Sequence, residues 1–196
     1  METRANGRSE EGEPARLDDE RSPSAAAEIR TFLIADVRGY TRFTQERGDD
    51  AAASLAAAFA ELAREAIEAC GGDLLELRGD EALAVFGSAR QAIRAAVELQ
   101  TRFRSADTPF PLGIGIGLDA GEAVPVAGGF RGGALNLAAR LCEEAGPGRL
   151  LISQRVYAAT EHLLIADPVG ELSLRGFSRP TRAYDVAGLD PARARA

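Results

Sequence analysis

The stretch Leu75–Glu76–Leu77–Arg78–Gly79–Asp80–Glu81–Ala82–Leu83–Ala84–Val85–Phe86 constrains this chain most. Two short apolar segments flank Gly79–Asp80, which is turn chemistry, so the stretch predicts a tight hairpin carrying charge at its tip. Upstream, Thr31–Phe32–Leu33–Ile34–Ala35–Asp36 is an apolar run that ends in a single carboxylate. Burial that stops at a carboxylate calls for a partner. Taken alone, Asp36 also reads as a turn or N-cap residue, and Asp80 as an Asp following Gly in a hairpin turn. Together, two strands that each deliver one Asp to a strand end make a paired-carboxylate metal site. Mg²⁺ takes one or two carboxylates and fills its octahedron with phosphate oxygens and water. Two such ions can bridge a triphosphate and assist in-line displacement at phosphorus.

At 196 residues the chain has room for one domain with a real core plus a tail. Its net charge of −7 argues against nucleic acid or an anionic membrane as the main partner, so bound phosphate must be held locally. The two cysteines, Cys70 and Cys142, form no CxxC or Cys/His cluster and are read as inert packing residues. No apolar run reaches the roughly 18–20 residues of a membrane span. With a charged N-terminus, the expectation is a soluble protein of the cytoplasm.

Residues 1–28 are polar and rich in Glu, Arg, Ser, Gly and Pro, a composition predicting a disordered tail. A domain is expected over 29–188, followed by a second disordered tail over 189–196. Within the domain, Arg30–Val37 predicts a strand buried on both faces, and Arg38–Thr41 a tight loop into a helix. The next helix is predicted over Ala51–Cys70, N-capped by Asp49 or Asp50, with Leu55, Phe59, Leu62, Ala66 and Cys70 as its core stripe. Gly71–Gly72 ends it. After the hairpin, Ser88 with Gln91 forms a capping box for a helix that buries Ile93, Ala96, Val97 and Phe103, broken by Pro109–Phe110–Pro111. Leu112–Leu118 and Glu122–Val126 read as strands around a turn at Asp119–Ala120–Gly121. Gly128–Gly133 reads as a flexible loop feeding the helix Ala134–Glu144, which Gly146–Pro147–Gly148 closes. Arg149–Ile152, a short helix Ser153–Thr160, and strands Glu171–Leu174 and Ala183–Val186 complete the chain. This irregular alternation favours an α+β sandwich on a mixed sheet over a doubly wound parallel sheet.

Three further groups carry polar chemistry. Glu76, Arg78 and Asp80 are spaced by two, so one strand would turn all three to one face; Arg78 paired to a neighbouring acid is the plainer reading. Asn136 and Arg140 are four apart on the predicted helix and share a face. Asn costs propensity in a helix interior, which hints at a side-chain task, and Arg140 can set a planar cation on a phosphate. The same two residues also read as a surface pair. His162, the only histidine, is read as an ordinary surface residue.

These pieces together resemble the class III nucleotide cyclase catalytic domain, the adenylate/guanylate cyclase homology domain. Four segments carry the resemblance: Ile34–Thr41, Arg78–Phe86, Gly115–Glu122 and Gly132–Leu141. Leu174–Pro180 is similar to the family's closing segment. The resemblance implies a ferredoxin-like mixed sheet that dimerises head to tail, with two active sites at the interface. It assigns Asp36 and Asp80 to two metal ions, Mg²⁺ or Mn²⁺, with the Val37 carbonyl as a backbone ligand. It assigns Asn136 to the ribose and Arg140 to the α-phosphate in the transition state, both from the partner subunit. Arg175 matches the basic residue for the terminal phosphates, and Gly39 of the first motif is counted among the substrate-binding positions.

The departures fall where the family selects its base. Adenylate cyclases have Lys four residues before the second metal Asp, where this chain has Glu76, and Asp or Thr seven before the catalytic Asn, where it has Gly129. Glu with a small residue is similar to the guanylate cyclase pattern. A carboxylate can accept guanine N1–H and N2–H₂ together, whereas adenine N1 is itself an acceptor, a clash of about 1–3 kcal/mol. The expectation is a homodimeric guanylate cyclase acting on GTP. Adenylate cyclase activity, relaxed base specificity, and a catalytically weak signalling module that works by dimerising are the alternatives.

Overall fold

The structure, a computed structural model, describes residues 26–104 and 111–193. The expected N-terminal tail therefore falls almost wholly outside the described residues, as do Pro109, Phe110 and the last three positions. The first strand, β1 (Glu28–Val37), begins two residues before Arg30 and buries Phe32 through Ala35 and Val37. After Val37 the chain turns through Gly39, whose φ of 81° is left-handed and suits glycine, into α1 (Tyr40–Arg47). Helix α2 (Asp49–Ala69) starts at Gly48, so Asp49 and Asp50 do not cap it. They occupy its first turn, where a carboxylate complements the helix dipole. Its buried stripe is Ala52, Leu55, Phe59, Ala63, Ala66 and Ile67, while Leu62 and Cys70 are only partly buried. Gly71 (φ 74°) ends it, and the Gly71 and Gly72 N–H groups donate to the carbonyls of Glu68 and Ile67.

The hairpin forms as expected from β2 (Asp73–Arg78) and β3 (Glu81–Phe86), with Gly79 at φ 61° in the turn. Helix α3 (Ala89–Phe103) is capped by Ser88, whose Oγ accepts from the Gln91 N–H. The expected turn at Asp119–Gly121 does not occur. A single long strand, β4 (Ile114–Val126), runs straight through it, because the Asp119 carboxylate finds its partners within the fold. The glycine-dense segment is likewise partly ordered as strand β5 (Gly129–Arg131), folded back on β4 across Gly128. Helix α4 (Gly133–Glu144), β6 (Arg149–Ser153), α5 (Gln154–Thr160), a 3₁₀ turn, β7 (Leu164–Leu172) and β8 (Thr181–Leu189) follow. β8 extends the expected Ala183–Val186 at both ends, whereas β7 lies mostly before the expected Glu171–Leu174 and shares only Glu171 and Leu172 with it.

The sheet order is β2-β3-β1-β4-β6-β8-β7, with only β4 and β6 parallel. This is the mixed-sheet α+β sandwich expected. Alternation along β1 sorts the two layers. Leu33, Ala35 and Val37 pack against α2 and α3, while Phe32 and Ile34 face α4 through Ala134 and Ala138. Asp36 continues the α4 side. Gly115 and Gly117 of β4 lie beneath α4, and a Cβ on Gly117 would overlap the backbone of Ala138 and Cys142. Helix α4 therefore sits on the sheet with its backbone close to β4. No helix among the described residues is long and apolar enough to cross a membrane.

Asp119 is fully buried on this same layer, where Ser153 Oγ donates to it at 2.6 Å and the half-exposed Arg155 grips it through two N–H groups. Burial pushes its carboxyl up, and Arg155 and Ser153 oppose that. Arg155→Ala leaves a buried carboxylate with two donors fewer and should cost about 3 kcal/mol at pH 8. The loss should shrink in acid as the carboxyl protonates, read by urea unfolding at pH 8 and pH 5. An equal loss at both would show that the charge is not the cause.

Candidate active site

β1 and the hairpin bring the two predicted carboxylates together. Asp36 pairs across the ladder with Glu81, and the Val37 N–H donates to the Asp80 carbonyl at 2.9 Å. That bond ties the end of β1 to the Gly79–Asp80 turn. Asp80 lies in the turn rather than on β2, so the single strand face expected to carry Glu76, Arg78 and Asp80 is not formed. On β2, Arg78 pairs with Glu76 at 2.9 Å, the plainer of the two readings of that spacing.

Asp36 is about three-quarters buried, with its carboxyl pushed up to about 6. Burial is the main cause, and the negative charges of Asp80 and Glu81 add to it, against the pull of Arg38. Arg38 donates to Asp36 at 2.5 Å and reaches over Gly115 to the Cys142 carbonyl at the end of α4. A side chain on Gly115 would collide with that guanidinium. Sequence reading overlooked Arg38 in this role, although its spacing of two from Asp36 placed both on one face. Cys142, buried beside it, has its thiol pushed up to about 12, mainly by burial, and is inert as expected.

The residue set suits a hard divalent cation. The Asp80 and Glu81 charges add to a rise of the Asp36 carboxyl that burial dominates and Arg38 only partly offsets, so a cation there would meet carboxylate charge. Among the described residues no three His, Cys, Asp or Glu side chains form a complete cage. A cation held there would need backbone carbonyl, phosphate and water oxygens, which is ordinary for Mg²⁺.

A second locus forms midway along the hairpin. Glu76 and Gly129 line one pocket of about 230 Å³, together with Leu75, Leu83, Leu135 and Arg131. On α4, Ala134, Leu137, Ala138 and Leu141 face the core, leaving Asn136 exposed and Arg140 half-buried and paired with Glu143. Arg175 is exposed in the turn after Leu174. Gly39 borders a cleft beside Arg42, Phe43 and Leu112. Within one chain, no hydrogen bond or ion pair among the described residues joins Asn136, Arg140 or Arg175 to Asp36 or Asp80. His162 is exposed on the 3₁₀ turn.

The fold, an open mixed sheet with helices on its faces, is shared with solved nucleotide cyclase domains. The structure of an adenylate/guanylate cyclase/hydrolase from Silicibacter pomeroyi matches with a TM-score of 0.74 and 30% identity, covering 83% of this chain and 98% of that one. On that match, the chain belongs to the class III adenylate/guanylate cyclase family. The adenylyl cyclase CyaB from P. aeruginosa shares the fold, with a TM-score of 0.72 at 22% identity, covering 85% of this chain and 97% of that one. An uncharacterized protein of Mycobacterium tuberculosis is 30% identical over 161 residues, 78% of this chain. The chain spans about 40% of the length of that curated relative. No protein-family model matches the chain.

Proposed function

We propose that residues 29–188 form a nucleotide cyclase domain that converts GTP to 3′,5′-cyclic GMP and pyrophosphate as a homodimer. The observation that carries this reading is the approach of Asp80 to Asp36 at the end of β1, where the Val37 N–H bonds the Asp80 carbonyl and the Asp80 charge acts on the Asp36 carboxyl. The Val37 carbonyl is the expected backbone ligand. Asp36, Asp80 and that carbonyl would hold two Mg²⁺ or Mn²⁺ ions. When bound, such ions supply Lewis acidity and charge neutralisation to a displacement at phosphorus. Among the described residues, Asn136, Arg140 and Arg175 make no hydrogen bond or ion pair to Asp36 or Asp80, which supports a site completed by a second copy of the chain.

In that site the ribose 3′-oxygen attacks the α-phosphorus in line. The new O3′–P bond forms as the bond to the bridging oxygen of pyrophosphate breaks, and the 3′-hydroxyl proton leaves to solvent. Asn136 orients the ribose. Arg140 releases Glu143 and donates to the α-phosphate, a charge-assisted bond that strengthens as negative charge builds in the transition state. Arg175 takes the terminal phosphates, and Gly39 lets the chain pass close to them.

Glu76 and Gly129 select the base, and their sharing one pocket supports that assignment. A Glu76 carboxylate accepts from guanine N1–H and N2–H₂. The test is turnover of each of the four nucleoside triphosphates with Mn²⁺ by the full chain. GTP should lead, and preference for ATP would overturn the base assignment. A verified dimer with no turnover would favour a nucleotide-binding or dimerisation module instead. Exchange of both positions, Glu76→Lys with Gly129→Asp, should move the ratio of kcat/KM toward ATP by at least about tenfold. Unchanged selectivity would show that these residues do not read the base.

A further inference from the structure

Glu76 accounts for only half of a guanine. Its carboxylate can satisfy N1–H and N2–H₂, but O6 and N7 are acceptors, and Gly129 offers them no side-chain donor. A Cβ built on Gly129 meets nothing within 4 Å, so that wall of the pocket is open. Arg131 stands two residues further along β5, lines the same pocket as Glu76, and is exposed. Phe130 between them packs edge-on against Phe32, with ring centroids 5.8 Å apart, which anchors this short strand to the core. Glu76 pairs with Arg78 rather than with Arg131. Arg131 makes no hydrogen bond or ion pair among the described residues, so its guanidinium is available to a ligand. The pocket, at about 230 Å³, is smaller than the roughly 300–1,000 Å³ that encloses a drug-sized ligand, which suits a base with its sugar outside. Leu75, Leu83 and Leu135 give it apolar walls for a ring face.

We propose that Arg131 is a second base-reading residue, donating two N–H groups to O6 and N7 of a guanine whose opposite edge Glu76 holds. A planar fork matches those two acceptors, and the same fork opposes the N6 amine of adenine. The inference rests on the guanylate reading of this pocket, and it adds a donor that Gly129 cannot supply.

The experiment measures equilibrium binding of 3′-deoxy-GTP, which lacks the attacking hydroxyl, to the full chain with Mg²⁺. Arg131→Ala should weaken it about tenfold or more, and Arg131→Lys, which keeps the charge and loses the fork, should recover only part. The 7-deaza analogue, without N7, should bind wild type more weakly yet bind Arg131→Ala no worse than 3′-deoxy-GTP does. The inosine analogue, without the N2 amine, should lose the same factor in wild type and in Arg131→Ala, because that edge belongs to Glu76. Equal weakening of 3′-deoxy-GTP and 3′-deoxy-ATP by Arg131→Ala would make Arg131 a general attractor of triphosphate and overturn the proposal. So would an undiminished 7-deaza penalty in the variant, or no change in affinity once thermal melting shows the variant folded. If wild type prefers ATP, the guanylate reading fails first, and the Glu76 exchange reports that independently.

Discussion

Asp36→Asn should reduce cyclase turnover by at least about a thousandfold, the scale of losing several kcal/mol of charge stabilisation at phosphorus. The same substitution should leave the metal-free protein more stable than wild type at pH 8. Wild-type Asp36 carries a carboxyl pushed from 3.8 to about 6 by burial and by its acidic neighbours. For a group raised in the folded state, the stabilisation is complete below the unfolded value near 3.8 and is lost as pH rises through about 6. Above neutrality the ionised side chain therefore costs about 3 kcal/mol relative to its neutral form. Asn is close in shape to the neutral form and still offers Arg38 an acceptor. Melting curves at pH 4, 6 and 8 should show the variant gaining on wild type as pH rises. Mg²⁺ should raise the wild-type midpoint at pH 8 and leave the variant unmoved. Parallel curves at every pH would show that Asp36 carries no such cost, and loss of fold in the variant would make it a structural residue.

Gly117→Ala should lower kcat/KM about a hundredfold in a protein that still folds, with stability down by about 1–3 kcal/mol. The new Cβ would enter the backbone of α4 at Ala138 and Cys142, and neither group belongs to a flexible side chain that can move aside. The helix must lift or slide as a unit. It carries Asn136 and Arg140 on its outer face, so their position relative to a bound nucleotide changes with it. A displacement near 1 Å at a reacting centre is worth about two orders of magnitude. Gly188→Ala is the control: a Cβ there meets nothing within 4 Å, and both activity and stability should hold. Wild-type kinetics for Gly117→Ala, measured with GTP and Mn²⁺ beside a urea titration, would show that α4 tolerates the shift.

The hairpin was legible because its signals are local. A Gly-Asp turn and its flanking apolar residues specify β2 and β3 without reference to anything distant. The capping of α3 by Ser88 and the end of α2 at Gly71 were legible for the same reason. Asp119 misled, since an Asp-Ala-Gly sequence carries turn chemistry wherever it occurs. Its partners, Ser153 and Arg155, lie more than thirty residues away, and only packing shows that they satisfy a strand carboxylate. The N-cap of α2 failed more mildly: Gly48 already supplied the required backbone turn, and the two aspartates shifted into the first helical turn. Arg131 was hidden by the reading of Gly128–Gly133 as loop. Once that segment folds back as β5, the residue two along from Gly129 reaches the pocket that Gly129 borders.

By itself the sequence determined the mixed α+β character, most of the helices, the hairpin, and the residues able to carry phosphate and metal chemistry. Those properties follow from side-chain type and spacing over a few residues, where local propensity and periodicity act. Tertiary structure alone decided which of the carriers meet. It set Asp80 beside Asp36 through a backbone bond from Val37, gave Asp36 a counter-ion in Arg38, and placed Glu76, Gly129 and Arg131 around one pocket. Apart from the Asp36–Arg38 pair, which is two residues apart, each of these depends on strand pairing between segments far apart in the chain. Register, burial and the packing of α4 across β4 set it, and no short stretch of residues encodes it.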